Sequence, residues 1–134
     1  SPNIAKRPFT VSATIEKLPA TGVIVAQGGS SHGWSLYLKD GNLAFTVRKG
    51  GKSITATAPL PKDATGSFEA RVTKKGIILR SDNKRLTLKE GNALLAEHPI
   101  DTFEIGQDNG GLVGDYEQGF NLSVPLKSLK ISIK

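Results

Sequence analysis

The residues that could do chemistry in this chain are few and scattered. The sequence contains no cysteine, and its two histidines, His32 and His98, lie far apart without a ligand-spaced partner. Thiol nucleophiles, disulfides and cysteine metal sites are therefore excluded, and a zinc site is not expected. The sequence also lacks the G-x-S-x-G motif that supports a serine nucleophile, so a Ser/His/Asp triad is not expected either.

Several potential oxygen ligands lie in one glycine-rich stretch, "GQDNGGLVGDYEQG", residues 106–119. Asp108, Asn109 and Asp115 offer oxygen atoms of the kind that calcium prefers, although their spacing is not that of an EF-hand loop. The competing interpretation is a long loop whose Gly, Asp and Asn residues serve turns. We therefore expect no cofactor, with calcium as the one candidate ion at these three residues.

A glycosidase needs two carboxyl groups about 5–5.5 Å or about 6.5–9.5 Å apart. Glu104 and Asp108 would be roughly 13 Å apart along one strand, which is too far. Asp115 and Glu117 would be about 6.6 Å apart in an extended chain, so a glucanase-like enzyme that uses this pair is a remote alternative. We expect the chain not to be an enzyme.

The single tryptophan, Trp34, follows the flexible stretch "GGSSHG" and could be either a sugar-binding platform or a core residue. Asp40-Gly41 is a strong signal for a two-residue hairpin loop. This loop pairs residues 34–39 with residues 42–47 in antiparallel order, so Trp34 faces Val47 on the apolar side of the hairpin. We predict that Trp34 belongs to the core and that Tyr37 is the aromatic side chain on the opposite, exposed face.

Period-two alternation of apolar and polar residues dominates the chain and predicts β-strands. It is clear in residues 9–15, 67–72, 120–124 and 129–133. Short apolar runs at residues 23–26 and 77–79 predict buried strands, and turn residues separate the segments. We expect about eleven short strands in an antiparallel β-sandwich or barrel, with one short helical turn at residues 93–97.

The formal net charge is +6 and the sequence pI is about 9.7, a balance that favours acidic partners. The positive residues are spread from Lys6 to Lys134, so we expect most of them to form a solubilising surface. The densest groups are Arg48-Lys49 with Lys52, Lys74-Lys75, and Arg80 with Lys84-Arg85 and Lys89.

Two classes of partner are not expected. Nucleic-acid binding on a sheet needs exposed aromatic rings for base stacking, and most aromatic residues here fall on faces predicted to point inward. These inward aromatic residues are Phe9, Trp34, Phe45, Phe68 and Phe120. No apolar run approaches the roughly 18 residues of a membrane span, so a membrane is not an expected partner.

The stretch "GVIVAQGGSSHGWSLYLKDGNLAFTV", residues 22–47, resembles the start of the C-terminal β-sandwich domain that follows the catalytic domain in many bacterial arylsulfatases. The pattern of that family runs close to G-V-L-x-A-x-G-G and then G-W-x-L-Y-x-K-D-G-x-L. "TFEIGQDNGGLV", residues 102–113, is similar to a later segment of that domain, and "RPFTVSATIE" fits its first strand. The middle of the chain, about residues 49–95, departs from the family.

The resemblance implies a jelly-roll sandwich similar to concanavalin A-like and laminin G-like domains. The length suits one domain over residues 1–134, and because the sequence starts with Ser1 and contains no methionine we expect it to be part of a longer protein. The resemblance implies that this protein is periplasmic or secreted and processes polysaccharides. Sulfatase activity is not implied, because the closest match to the C/S-x-P-x-R motif is "SVPLK", residues 123–127, with lysine where arginine is required.

We expect a non-catalytic accessory domain with a structural role, packing on a neighbouring domain of the same parent chain. The alternative is a carbohydrate-binding module for sulfated or uronic-acid glycans, which the positive net charge would suit. The candidate ligand contacts are Tyr37, Lys39, Arg48, Lys52, Asn109 and Tyr116.

Overall fold

The computed structural model describes residues 4–29, 31–95, 103–107, 113–114, 116–117 and 119–133, and the regular secondary structure in these ranges is entirely β. The strands are β1 (Phe9–Ile15), β2 (Gly22–Gly28), β3 (His32–Lys39), β4 (Asn42–Lys49), β5 (Lys52–Pro59), β6 (Ser67–Val72), β7 (Gly76–Ser81), β8 (Lys84–Glu90), β9 (Phe103–Ile105) and β10 (Leu126–Ile133). Within the described residues, no helix is long and apolar enough to cross a membrane.

The strands form two five-stranded sheets whose neighbours pair in antiparallel order. The first sheet has the order β10-β1-β6-β7-β8, and the second has the order β5-β4-β3-β2-β9. Apolar side chains from both sheets form one core between them. The predicted antiparallel β-sandwich is confirmed, with ten strands in the described residues where about eleven were expected.

The hairpin of β3 and β4 has the register that its sequence predicts. Asp40 and Gly41 adopt φ values of 52° and 78°, as a two-residue turn with left-handed residues requires. Lys39 pairs with Asn42, and Trp34 pairs with Val47 at the far end of the predicted match. Because side chains alternate between faces, this register places the apolar residues of both strands in the core.

Trp34 is a core residue, as predicted, with no exposed surface. Its ring stacks on Phe45 at 5.8 Å between centroids with an interplanar angle of 15°, and Phe9 from the other sheet lies 5.8 Å away. The indole Nε1 donates a 3.1 Å hydrogen bond to Oε1 of the buried Gln27. The ring therefore links the two sheets, and its one polar group is satisfied.

The helical turn predicted at residues 93–97 is wrong for its described part, because residues 93–95 have no helical structure. Their backbone bonds are made to the first sheet instead. The amide of Ala93 donates to the Thr73 carbonyl, and the carbonyl of Leu95 accepts from the amide of Lys6. Ala93 and Leu95 are completely buried at the end of the core, so tertiary contacts determine this segment.

The strand predicted at residues 120–124 is also absent. This stretch contributes one isolated bridge, between Asn121 and Val23, and Phe120 has a φ of 31° that extended strands do not allow. Phe120 is wrongly predicted to point into the core, since it packs with Val23 and Ala26 on the outer side of the second sheet. A short alternating stretch forms a strand only where a partner strand lies beside it.

Asp82 in the β7–β8 turn ties two loops together. Its carboxylate accepts a 2.9 Å hydrogen bond from the backbone amide of Thr65, another from the Thr65 hydroxyl, and a weaker one from Ser81. The Thr65 hydroxyl, followed by the Thr65 amide, lowers the pKa of Asp82 below its usual value of 3.8. The charged form of Asp82 is therefore favoured by folding.

Replacing Trp34 by alanine should lower the free energy of unfolding by about 3–5 kcal/mol, because it leaves a large cavity between the sheets. Chemical denaturation followed by far-ultraviolet circular dichroism measures this change. Lys17→Ala, at an exposed loop position, is the matched control and should change the stability by less than about 0.5 kcal/mol. An equally small effect of Trp34→Ala would contradict the packing described here.

Replacing Asp82 by asparagine should destabilise the fold at neutral pH and much less in acid. A carboxylate with a lowered folded pKa contributes stability above its unfolded pKa and loses it as the pH falls through the folded pKa. The stability difference between the two proteins should therefore shrink as the pH falls below about 3.8. Denaturation curves from pH 7 to pH 2 test this, with the exposed Asp63→Asn as the control.

Candidate functional site

The outer face of the second sheet is covered, which overturns the prediction that Tyr37 is exposed. Tyr37 is 2% exposed. The ring of Tyr116 packs edge-on against it, with 4.9 Å between centroids. The hydroxyl groups of Tyr37 and Thr46 lie 2.9 Å apart and form a buried hydrogen bond. Tyr37 cannot offer its ring to a ligand, because a later part of the chain has returned across the sheet to cover it.

Two hydrogen bonds hold this returning segment on the sheet, and a ring contact supports it internally. The Tyr116 hydroxyl donates a 2.8 Å hydrogen bond to Ser35, and the Tyr116 ring stacks with Phe120 at 5.5 Å. At the other end of the covered face, Nε of Arg48 donates a 2.6 Å bond to the Val113 carbonyl. Tyr116 and Arg48, both predicted to contact a ligand, thus have structural partners.

The predicted ligand contacts do not form one site. Lys39 pairs with Asn42 at one end of β4, and Lys52 pairs with Lys49 at the other. Seven residues separate these two rungs, so they lie roughly 23 Å apart along the sheet. The predicted hairpin register already separates them, because Lys39 adjoins the Asp40-Gly41 turn and Lys52 follows the far end of β4.

Lys39 and Tyr116 do come together, with Asp40, Glu117 and Phe120, around a surface hollow of about 530 Å³. Glu117, the described member of the proposed carboxylate pair, is exposed there. The other predicted residues, Asp108, Asn109 and Asp115, lie outside the described residues. In the part of the chain that the structure describes, no three His, Cys, Asp or Glu side chains form a group that could hold a metal ion.

Arg48 and Lys52 lie at the opposite end of the sandwich, where residues 91–95 cross between the two sheets. The amide of Gly91 donates to the Lys75 carbonyl at 2.9 Å. The side chain of Lys49 donates to the Asn92 carbonyl, also at 2.9 Å. These bonds bring the β4–β5 hairpin, the β6–β7 turn and the end of β8 together.

This end of the molecule carries a concentrated positive charge, and we call it the basic pole. It consists of Lys6, Arg7, Arg48, Lys49, Lys52, Lys74, Lys75 and Lys89. Lys6 belongs to it because its amide bonds to the Leu95 carbonyl. Among the described residues, the carboxylate at this end is Glu90, so the local charge is strongly positive. Six of these cations are exposed, and Arg48 and Lys49 are half-buried.

The other end of the sandwich, which we call the balanced end, carries nearly equal numbers of positive and negative charges. Hydrogen bonds from Leu60 to Gly41 and from Asp82 to Ser67 place the β3–β4, β5–β6 and β7–β8 connections there. The described cations at this end are Lys17, Lys39, Lys62, Arg80, Lys84, Arg85 and Lys127, and the described carboxylates are Glu16, Asp40, Asp63, Asp82 and Glu117. The sequence alone suggested an evenly spread positive charge. In the described residues the net positive charge is instead concentrated at the basic pole.

Sequence reasoning noticed two parts of the basic pole without connecting them. "RKGGK" and "TKKG" are dibasic turns that lie more than twenty residues apart. Successive antiparallel strands place every second turn at the same end of a sandwich. The order of the predicted strands therefore already indicated that these two dibasic turns lie at one end. Lys6 and Arg7 join the basic pole only because residues 91–95 pass beside them, and no local sequence pattern predicts that position.

Replacing Gly114 by alanine should loosen the covering segment. The added methyl group would collide with the Tyr116 ring and lie 2.8 Å from Cε1 of Tyr37. We expect weaker nuclear Overhauser contacts between the two tyrosine rings and a lower melting temperature. Gly51→Ala is the control, since a methyl group there meets no atom within 4 Å, although its left-handed φ of 80° carries a modest conformational cost. Unchanged ring contacts in the Gly114 variant would contradict the described packing.

No protein-family model matches the chain, and no curated protein matches it significantly.

Proposed function

We propose that this chain is a non-catalytic accessory domain that binds an anionic glycan through its basic pole. The observation that carries the proposal is the polarised charge, with eight described cations and one described carboxylate at one end and nearly equal numbers of each at the other. The jelly-roll arrangement, the periplasmic or secreted setting and the parent protein that processes polysaccharides are parts of the same proposal. They follow from the resemblance of residues 22–47 to sulfatase-associated sandwich domains.

Several cations on separate loops suit a polymer with repeated negative groups. The exposed side chains of Lys52, Lys74 and Lys75 are long and hydrated, and they can each meet a different sulfate or carboxylate group. Arg48 and Lys49 are held by bonds to backbone carbonyls, so their charges have fixed positions. Flexible and fixed cations together favour an extended polyanion over a single small ion.

A glycan fits this end better than a nucleic acid does. Proteins that bind single strands stack bases on exposed aromatic rings. None of the described aromatic side chains is exposed at the basic pole, since Trp34 and Phe45 are buried in the core and Tyr116 and Phe120 lie on the covered face. Charge contacts without stacking are sufficient for a sulfated or uronic-acid chain.

Reversing two charges at the basic pole should weaken binding to heparin-like and carrageenan-like glycans by at least tenfold. Lys52→Glu with Lys74→Glu removes two attractions of about 1 kcal/mol each and adds two repulsions. Calorimetric titration across salt concentrations measures the affinity, which should fall steeply as salt screens the charges.

The matched control is Lys17→Glu with Lys62→Glu at the balanced end, which makes the same change in net charge. A purely global charge effect would weaken both double variants equally and would contradict a defined pole. Tighter binding to duplex DNA than to either glycan at equal salt would identify a different partner. Flat titrations with all three polymers would exclude the proposed function.

A second candidate function, packing on a neighbouring domain, is favoured by one exposed apolar residue. Ile105 is 54% exposed on β9, the short edge strand of the second sheet. An edge strand can accept a further strand or a covering loop. If β9 docks on another domain, its backbone amides should exchange hydrogen more slowly in a longer parent polypeptide than in this chain, and equal exchange rates would exclude this contact.

A further inference from the structure

The outer face of the first sheet carries a polar surface that no sequence motif marks. Residues directly opposite each other on paired strands share a face, so the register assembles rows across the sheet. One row is Lys130, Ser12, Glu69, Arg80 and Arg85. The row on one side is Ser128, Thr14 and Ser67, and the row on the other is Ser132, Thr10, Arg71, Ile78 and Leu88.

A groove of about 550 Å³ lies along the first two of these rows. Its floor is lined with the hydroxyl groups of Ser12, Thr14, Ser67 and Ser128. The hydroxyls of Thr14 and Ser67 contact each other at 3.3 Å, and either can donate. A surface of this kind offers both hydrogen-bond donors and acceptors to a ligand.

Glu69 has unused hydrogen-bonding capacity in this groove. Its Oε2 lies 3.5 Å from Nε of Arg80 and 3.9 Å from Nη2 of Arg71, close enough for ion pairing. Neither Oε2 of Glu69 nor Nε of Arg71 has a hydrogen-bond partner, although both atoms are shielded from solvent. The two side chains are thus close enough for ion pairing, and each keeps one buried polar atom without a hydrogen bond.

The arginine in the groove is held in place by the turn beside it. Nη2 of Arg80 donates a 2.7 Å hydrogen bond to the Asn83 carbonyl. At the same end, the Thr65 bonds hold Asp82 in its charged form. Arg80 and Lys130 contribute two positive charges to the groove lining, and Glu69 and Asp82 contribute two negative charges.

Balanced charges make the groove unsuitable for an ion of either sign. An anion near Arg80 would meet the Glu69 carboxylate, and a cation near Glu69 would meet Arg80. A hydroxyl group suits the pair, because it donates to the carboxylate and accepts from the guanidinium at once. Several hydroxyl groups on one rigid ring would engage the serine and threonine floor in the same way.

We propose that this groove binds an uncharged saccharide, with Glu69 and Arg80 sharing one or two sugar hydroxyl groups. The Glu69 side chain is 28% accessible and lines the groove, so a sugar hydroxyl group can reach its carboxylate. The site is separate from the basic pole and independent of the function proposed for it, because it depends on hydrogen bonds and not on net charge.

The test is amide chemical-shift mapping by nuclear magnetic resonance with neutral trisaccharides of glucose, mannose, galactose and xylose. The titrations are made in about 1 M sodium chloride, where the Debye length is about 3 Å and binding at the basic pole is suppressed. We expect saturable shifts for at least one trisaccharide, confined to β1, β6, β7 and β10.

Two variants separate the groove from the rest of the face. Ser12→Trp fills the groove and should weaken binding at least tenfold. Ser132→Trp places the same ring on the same face outside the groove lining and should change the affinity less than twofold. Glu69→Gln keeps the side-chain shape, leaves the strands intact and should weaken binding several-fold, so the test does not depend on how well the tryptophan variants fold.

Shifts that centre on Tyr116 and Phe120 would assign the saccharide to the other hollow and overturn the proposal. The proposal would also be overturned if none of the four trisaccharides gave saturable shifts. Equal losses in the Ser12→Trp and Ser132→Trp variants would show that the groove is not the site. Loss of heparin binding in the basic-pole variants does not bear on these outcomes, so the two proposals fail separately.

Discussion

The register of β3 against β4 is the constraint on which the rest of the structure depends. The Asp40-Gly41 turn fixes it, and a shift of one residue would move Trp34 from the core to the solvent face. With Trp34 inside, its ring reaches Phe9 of the opposite sheet and joins the two layers. The same register turns Tyr37 and Ser35 outward, and these two residues receive Tyr116 when the chain returns. One turn thus decides both the core and the position of the covering segment.

Tertiary contacts, and not local sequence, decide which faces of the sandwich remain open. The outer face of the second sheet is closed over Tyr37 by a segment about eighty residues later in the chain. The outer face of the first sheet keeps its groove, since the lining residues belong to the strands and to the β7–β8 turn. The end of the core is closed by Ala93 and Leu95, whose partners are Thr73 and Lys6. In both covered places the covering residues are far in sequence from the residues that they cover. Which side chains become buried there therefore depends on the tertiary fold and not on the local sequence.

This distinction explains what the sequence could and could not predict. Alternation and turn residues correctly predicted the strand at Phe9–Ile15, the hairpin register and the buried Trp34, because these depend on neighbours a few residues apart. The exposure of Tyr37 and the inward direction of Phe120 were wrongly predicted, because both depend on where the segment that carries Tyr116 and Phe120 returns. The binding surfaces were missed for the same reason. The strand order brings separate turns together to form the basic pole. The strand register aligns the outward-facing polar residues that form the groove, and these residues make up no recognisable sequence motif.

The two proposed surfaces would contribute differently to the recognition of a polymer. Long-range attraction by the basic pole would raise the rate of encounter with any polyanion and would weaken in salt, so it selects for charge more than for structure. Hydrogen bonds in the groove act only at contact, and they penalise a ligand whose hydroxyl groups leave Glu69 or Arg80 unsatisfied. The groove lies toward the balanced end of the first sheet, and the row of Thr10 and Arg71 separates it from the basic pole, so only a chain of several sugars spans both. A polysaccharide that carries both neutral and acidic sugars could therefore engage both surfaces, and its affinity would then exceed that for either kind of sugar alone.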